Sequence, residues 1–327
     1  MIGTPKGLLS WVVAAALAAV AASPAAADDY PNKPVTVVVP GAAGGGGDFV
    51  GRLLAEKMSE QLGQPVVVEN RPGSNGNLAA SYVSRADTDG YTLLLAYSGS
   101  HVANPSLFPN LGWDPVESFE PIALAVKAPH VIVVRKDLPA DDLQGLIAYA
   151  KAHPGEVTFA SSGIGSIQHI GTEQLARAAG IEMLHVPYGG AGPAMNDMLG
   201  GRVDLIITTP PAVVGHVQAG TVRALAIASS ERHPMLPDLP TTAEAGFPGF
   251  ELEAWFGLYA PAGTPASAIA VLSAAAEKSV TSDDFRTRAQ ERGTQAAYMP
   301  AKEFGEFTKS ELDVWAKVIK EVGIKIQ

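Results

Sequence analysis

Val35-Thr36-Val37-Val38-Val39-Pro40-Gly41-Ala42-Ala43-Gly44-Gly45-Gly46-Gly47-Asp48-Phe49-Val50 reads as a strand, a glycine-rich turn and the start of a helix. Val35 to Val39 is a β-branched run closed by a proline, as a strand would be. From Phe49 to Leu62 the apolar residues Phe49, Val50, Leu53, Leu54, Met58 and Leu62 recur at helical spacing. Asp48 stands where an N-cap would, and Gly63 where the helix would stop. A second strand, Val66 to Glu69, leads through Asn70-Arg71-Pro72-Gly73 to a helix around Leu78 to Arg85. The turn Asp89-Gly90 then opens a third strand, Tyr91 to Ala96. The unit is βαβαβ.

The same order returns further along the chain. Strand Val157 to Ala160, loop Ser161 to Ser166 and helix Gln168 to Ala179 come first. Strand Met183 to Pro187, loop Tyr188-Gly189-Gly190, helix Pro193 to Leu199 and strand Val203 to Thr208 complete the copy. Strands alternating with helices predict parallel pairing, because a parallel return needs a crossover of about a dozen residues or more. Between the copies lie two strands, Ile122 to Val126 and Val131 to Val134, and after them Arg223 to Ala228 and Phe250 to Ala260. The helices Ala266 to Val280, Asp283 to Glu291 and Ala301 to Val322 have no new sheet to cover and are expected to return to the first lobe. The chain therefore crosses between lobes twice, which makes a hinge. Residues 28–127 and 256–327 are assigned to lobe 1, and residues 128–255 to lobe 2.

Residues 1–27 read as a cleavable signal peptide: Lys6, an uncharged stretch from Leu8 to Ala22, and Ala25-Ala26-Ala27 before Asp28-Asp29. Without any cysteine, neither a lipoprotein anchor nor a disulfide framework is available, and a soluble protein of the periplasm is expected. With 47% hydrophobic and 17% charged residues the chain has the make-up of a packed α/β protein. A net charge of −10 and the lack of any Lys/Arg run exclude nucleic acid as a natural partner. If the ligand is an anion, local dipoles must attract it.

In open α/β sheets ligands bind at the carboxyl ends of the strands. Here those ends carry Gly41 to Gly47, Ser98 to His101, Ser161 to Ser166, Tyr188 to Gly190 and Thr208 to Pro211, mostly Gly, Ala, Ser and Thr. Such loops let backbone N–H groups approach a ligand, and each following helix adds about half a positive charge at its start. A carboxylate can then be held without Lys or Arg. Each loop also has a plainer reading as a tight turn, Asp48 as a helix cap, and Trp255, Phe256 and Tyr259 as core of the crossing strand; of these three, Trp255 is the one carried forward as pocket lining. Rival chemistries lack their marks. The glycine spacing is not G-x-G-x-x-G, Gly47 is not followed by Lys, and Gly165-Ser166-Ile167-Gln168 is not a nucleophile elbow. The seven His are scattered and form no zinc spacing. No metal, cofactor or catalytic set is expected.

These phrases resemble the Bug family of periplasmic solute receptors, the substrate-binding proteins of tripartite tricarboxylate transporters. The likeness runs through Tyr30-Pro31, Lys33-Pro34, Pro40 with Gly44-Gly45 and Asp48, Val68-Glu69-Asn70-Arg71-Pro72-Gly73 and Asn75-Gly76-Asn77. It continues through Asp89-Gly90-Tyr91-Thr92-Leu93, His185-Val186-Pro187-Tyr188, Gly200-Gly201-Arg202-Val203-Asp204, Leu239-Pro240-Thr241, Pro248-Gly249-Phe250 and Trp255 to Pro265. The resemblance implies a two-lobed, type II-like periplasmic binding protein that closes on a small organic acid, works as a monomer and passes its ligand to transporter membrane subunits or to a sensor protein. It implies contacts at Ala43 and Gly44, at Ser98 and Ser100, and at Ser161, Ser162, Gly163 and Ile164. Tyr188, Gly189, Thr208, Thr209 and Trp255 complete the implied wall. Gly41 and Gly189 stand where many relatives carry bulk, which leaves room for a larger ligand, aromatic acids included. A sensory receptor and a secreted enzyme on the same scaffold remain open alternatives.

Overall fold

The computed structural model describes residues 30–323, so the expected signal peptide lies outside the described residues. Ten strands form the frame: β1 (Val35–Val39), β2 (Val66–Asn70), β3 (Thr92–Tyr97), β4 (Phe119–Arg135), β5 (Thr158–Ser161), β6 (Leu184–Pro187), β7 (Leu205–Thr208), β8 (Val222–Ala228), β9 (Glu253–Pro261) and β10 (Gln295–Pro300). The helices are α1 (Gly46–Leu62), α2 (Asn77–Val83), α3 (Ser98–His101), α4 (Asn104–Leu107), α5 (Leu143–Ala152), α6 (Ile167–Ala179), α7 (Ala191–Leu199), α8 (Pro210–Gln218), α9 (Ala266–Val280), α10 (Asp283–Glu291) and α11 (Ala301–Val322).

The repeat read from the sequence is a repeat in space. β1 lies between β2 and β3, all parallel, and β5 lies between β6 and β7, again all parallel. An antiparallel strand flanks each trio: β9 beside β3 and β4 beside β7. The parallel expectation thus holds for the two repeated units, and the crossing strands add antiparallel pairs alongside them.

β4 is one continuous strand where the sequence suggests two, because Pro129 interrupts the apolar run without ending the extension. From Phe119 to Pro129 it pairs with β9 in the first sheet, and from His130 onward it pairs with β8 in the second. The return crossing runs beside it, with Leu252 donating its N–H to Ala228 O and accepting from His130 N. Both crossings therefore sit side by side, as a hinge requires.

Near-continuous apolar strands follow from sheets covered on both faces. Val37 and Val39 of β1 face one core with Leu93 and Leu95 of β3, while Val38, Leu94 and Ala96 face the other. Val131 and Val133 likewise alternate with Ile132 and Val134. Helices α9 and α10 cover the first sheet through Leu272, Ala275, Phe285 and Ala289, as expected. Two features of the tail go beyond that expectation. It adds a strand to the first sheet, since β10 pairs with β4. And α11 packs Phe304, Trp315 and Ile319 into the core that continues under both sheets.

Candidate functional site

All the strand-to-helix turns at the carboxyl ends of the parallel trios meet at one cleft between the lobes. It holds about 620 Å³, counting its open mouth. The floor is apolar, made by Val39, Pro40, Leu95, Tyr97 and Phe256; the hydroxyls of Ser100, Ser162, Thr208 and Thr209, the amides of Asn75 and Gln168, and the glycine turns complete it. Among the described residues neither Lys nor Arg borders it.

The first wall is built by the quoted stretch. Helix α1 begins at Gly46, earlier than the sequence suggests, because its glycines join the first turn. Asp48 is therefore not the N-cap but the third helical residue, and its Oδ2 accepts the Gly44 N–H at 3.1 Å. Burial by itself would raise its carboxyl, but the Arg52 guanidinium 2.9 Å away and the Gly44 N–H outweigh that and hold it below the usual carboxylate range. Asp48 is thereby neutralised beside the cleft. The N-cap position, Gly45, offers no side chain, so the N–H groups at the start of α1 have no partner within the helix.

The second lobe matches this. Helix α7 starts after Gly190 with no side-chain cap, leaving the Ala191 and Gly192 N–H groups free of helical partners. Helix α8 starts after Thr209, also without a side-chain cap, but Pro210 and Pro211 have no N–H to give. It contributes its dipole and the hydroxyls of Thr208 and Thr209 instead. The Thr208 residue is fully buried, and its Oγ1 has no hydrogen-bond partner among the described residues. Helices α5 and α10 and the inner helix α6 are capped by Asp142, Ser282 and Ser166. Cap side chains are missing at three helix starts that converge on the cleft, and also at α9 and α11 away from it.

The lobes touch across it. Ala42 N donates to Gly189 O at 3.1 Å, and Tyr97 OH donates to Gln168 Oε1 at 3.2 Å. Gly192 approaches the Ala43 carbonyl so closely that a Cβ would run into the oxygen. On the far side His233 Nε2 meets Gly293 O at 3.0 Å.

The expected residues separate into groups. Ser100, Ser162, Thr208 and Thr209 border the cleft. Gly189 and Gly163 sit at the lobe contact, the latter against Asn75. Ala43 and Gly44 are exposed at its edge, and Ile164 is 47% exposed. Ser98 is buried behind the wall, where its Oγ accepts the Trp255 N–H at 3.2 Å. Ser161 spends its hydroxyl on Gly163 and on His185 Nε2, 2.6 Å away. Tyr188 donates its hydroxyl to Asp197 at 2.9 Å. Trp255 lies on the opposite face of β9, its Nε1 donating to Glu311, while the next residue, Phe256, faces the cleft and stacks on Tyr97 with centroids 5.4 Å apart. Sequence reading missed Phe256, Gln168, Asn75 and Ala191. The Asn75-Gly76-Asn77 run carried a signal: Asn75 takes a positive φ, which Asn tolerates, and joins a buried amide network with Asn77 and Asn104.

A family model described as the tripartite tricarboxylate transporter family receptor matches residues 50–324. The chain belongs to that family. Among other family members, Protein BugT of Bordetella pertussis is 38% identical over 283 residues, covering 86% of each chain. A UPF0065 protein from the tcbD-tcbE intergenic region of a Pseudomonas species is also 38% identical, over 84% of this chain and 82% of that one. The periplasmic binding protein BugD superposes with a TM-score of 0.88 at 38% identity, covering 91% of this chain and all of BugD. MatC of Rhodopseudomonas palustris, solved with malate, gives 0.83 at 37% identity over 89% of this chain and 100% of its own. A further R. palustris protein, solved with adipate, gives 0.88 at 36% identity over 90% and 99%. The family is one of substrate-binding receptors, not of enzymes.

Proposed function

We propose that this family receptor captures a small organic carboxylate between its lobes in the periplasm and presents it to the membrane subunits of a tripartite tricarboxylate transporter. The observation that carries the reading is the buried, unpartnered Thr208 Oγ1 beside a cleft on which α1, α7 and α8 converge without side-chain caps. A carboxylate oxygen gives the Thr208 hydroxyl its partner, and the free N–H groups at the starts of α1 and α7 supply further hydrogen bonds from both lobes. The malate and adipate bound by two relatives are acids of this kind.

The lobe division at 127/128 and 255/256 belongs to the same proposal; β4 changes sheets close by, at Pro129 and His130. So does the binding role of the expected residues, with Ser100, Ser162, Thr208 and Thr209 nearest the ligand. Thr208 and Thr209 together with the starts of α1 and α7 take the carboxylate, and the apolar floor takes the body of the acid. Isothermal titration of residues 28–327 with mono-, di- and tricarboxylates and aromatic acids tests the reading. Saturable one-to-one binding of at least one acid is expected. Binding of sugars or peptides with no response to any acid contradicts it.

A further inference from the structure

We infer that Gln168 sets the selectivity of the cleft by reading a second oxygen of the acid, and that Tyr97 holds it in the orientation to do so. The inference rests on the carboxylate reading above. Gln168 is the second residue of α6, only 4% exposed, and borders the cleft from the second lobe. Its side chain makes one hydrogen bond among the described residues, accepted by Oε1 from Tyr97 OH at 3.2 Å. The Nε2 donors of the same amide have no protein acceptor there. Nε2 is not one of the fully enclosed polar atoms that lack a partner, so it opens to the cleft, where a ligand acceptor can take the place of water.

Tyr97 holds the amide in the orientation found here. Tyr97 is itself held, stacked on Phe256, and burial pushes its hydroxyl pKa far up, so it remains a neutral donor. With Oε1 taken by that hydroxyl, Nε2 is the face left for the ligand. Phe256 also packs against Gly46 and Gly47 at the start of α1, where Thr209 comes down from the other lobe. The floor ring thus lies between two inter-lobe contacts: Thr209 with Gly46, where the first carboxylate is placed, and Gln168 with Tyr97. An acid lying along Phe256 with one carboxylate at the first contact brings a second acceptor to the second. The class selected is an acid carrying a further carboxylate or carbonyl oxygen, over the matching acid that ends in a methyl or hydrogen.

Isothermal titration with paired acids measures this: succinate against butyrate, adipate against hexanoate, and terephthalate against benzoate. In the wild-type protein the second oxygen should favour the diacid of the best-fitting pair by about tenfold or more, since a site built to hydrogen-bond a group rejects the analogue lacking it. Gln168→Ala should bring that ratio to within about twofold of one. Gln168→Glu, which keeps the shape and adds a negative charge, should reverse it, and covers the case of an alanine variant that does not fold. Tyr97→Phe should give an intermediate ratio, because the amide is then free to turn. A wild-type ratio near one, or variants that retain the wild-type ratio, would overturn the role of Gln168 while leaving the carboxylate reading standing. If no acid of any pair binds the wild-type protein, the carboxylate reading itself has failed, and the role of Gln168 falls with it.

Discussion

Thr208 gives the sharpest single-residue test. Its hydroxyl oxygen is buried and makes no hydrogen bond among the described residues, so its removal takes no hydrogen bond from the fold they form. Thr208→Val keeps the shape and is expected to unfold at the same temperature or slightly higher. Its affinity for the best acid should fall by about tenfold to a hundredfold, the scale of one hydrogen bond to a charged group at ~1.5–3 kcal/mol. Parallel thermal unfolding and titration check this; a stability loss with unchanged affinity would place the hydroxyl in the scaffold rather than at the ligand. Gly41 gives a second. It borders the cleft, and a Cβ there would have nothing within 4 Å. Gly41→Phe should therefore fold normally and shrink the cleft, weakening aromatic acids more than succinate in competition titrations.

At the start of α7, Gly192 has no room for a side chain once the lobes meet, since a Cβ would strike the Ala43 carbonyl. Its backbone lies outside the left-handed region, so alanine fits an open form without strain. Gly192→Ala should thus leave the unliganded protein folded, lower acid affinity by about tenfold or more, which corresponds to a cost of about 1.4 kcal/mol or more for holding the lobes apart, and abolish any ligand-induced contraction that small-angle scattering reads in the wild type. The elements themselves were largely legible. Val35–Val39, Leu205–Thr208 and the three C-terminal helices follow from β-branched runs, helical periodicity and glycine stops. Which face of a strand meets the ligand was not. In β9 both faces are buried, so Trp255 and Phe256 look alike in sequence, and a one-residue choice moved the expectation to the far side of the sheet. Gln168 lies inside an ordinary helical pattern, and only the fold shows that its amide ends at the cleft. β10 escaped notice because Gln295–Pro300 is half-buried and lacks alternation, and Pro129 masks the continuity of β4.

Across the molecule's described residues, burial lowers the pKa of five imidazoles, His233 and four that fall further. Burial pushes His101, His130, His169 and His185 down to about 4 from 6.5, and for His185 the neighbouring His169, stacked 3.9 Å away, adds to it. Each binds a proton more readily in the unfolded chain than in the folded one. Their contribution is therefore fully present above about pH 6.5 and is lost as the pH falls through the interval down to about 4. Two of the four brace the second-lobe loop: His169 Nδ1 accepts the Gly165 N–H at 3.1 Å and His185 Nε2 meets Ser161. Urea unfolding is expected to show a lower midpoint at pH 5 than at pH 7.5, and a protein equally stable at both would contradict neutral burial of these rings.

In the proposed function the two lobes are equal partners in holding the anion, each through backbone N–H groups at a helix start. Amide NMR of the ¹⁵N-labelled protein during titration with the best-binding acid reads those groups directly. The account predicts that the Gly46 and Gly47 resonances of α1 and the Ala191 and Gly192 resonances of α7 shift together, along one saturating curve that matches the calorimetric affinity. Shifts confined to one of these helix starts, or an acid that binds while both sets stay still, would contradict it.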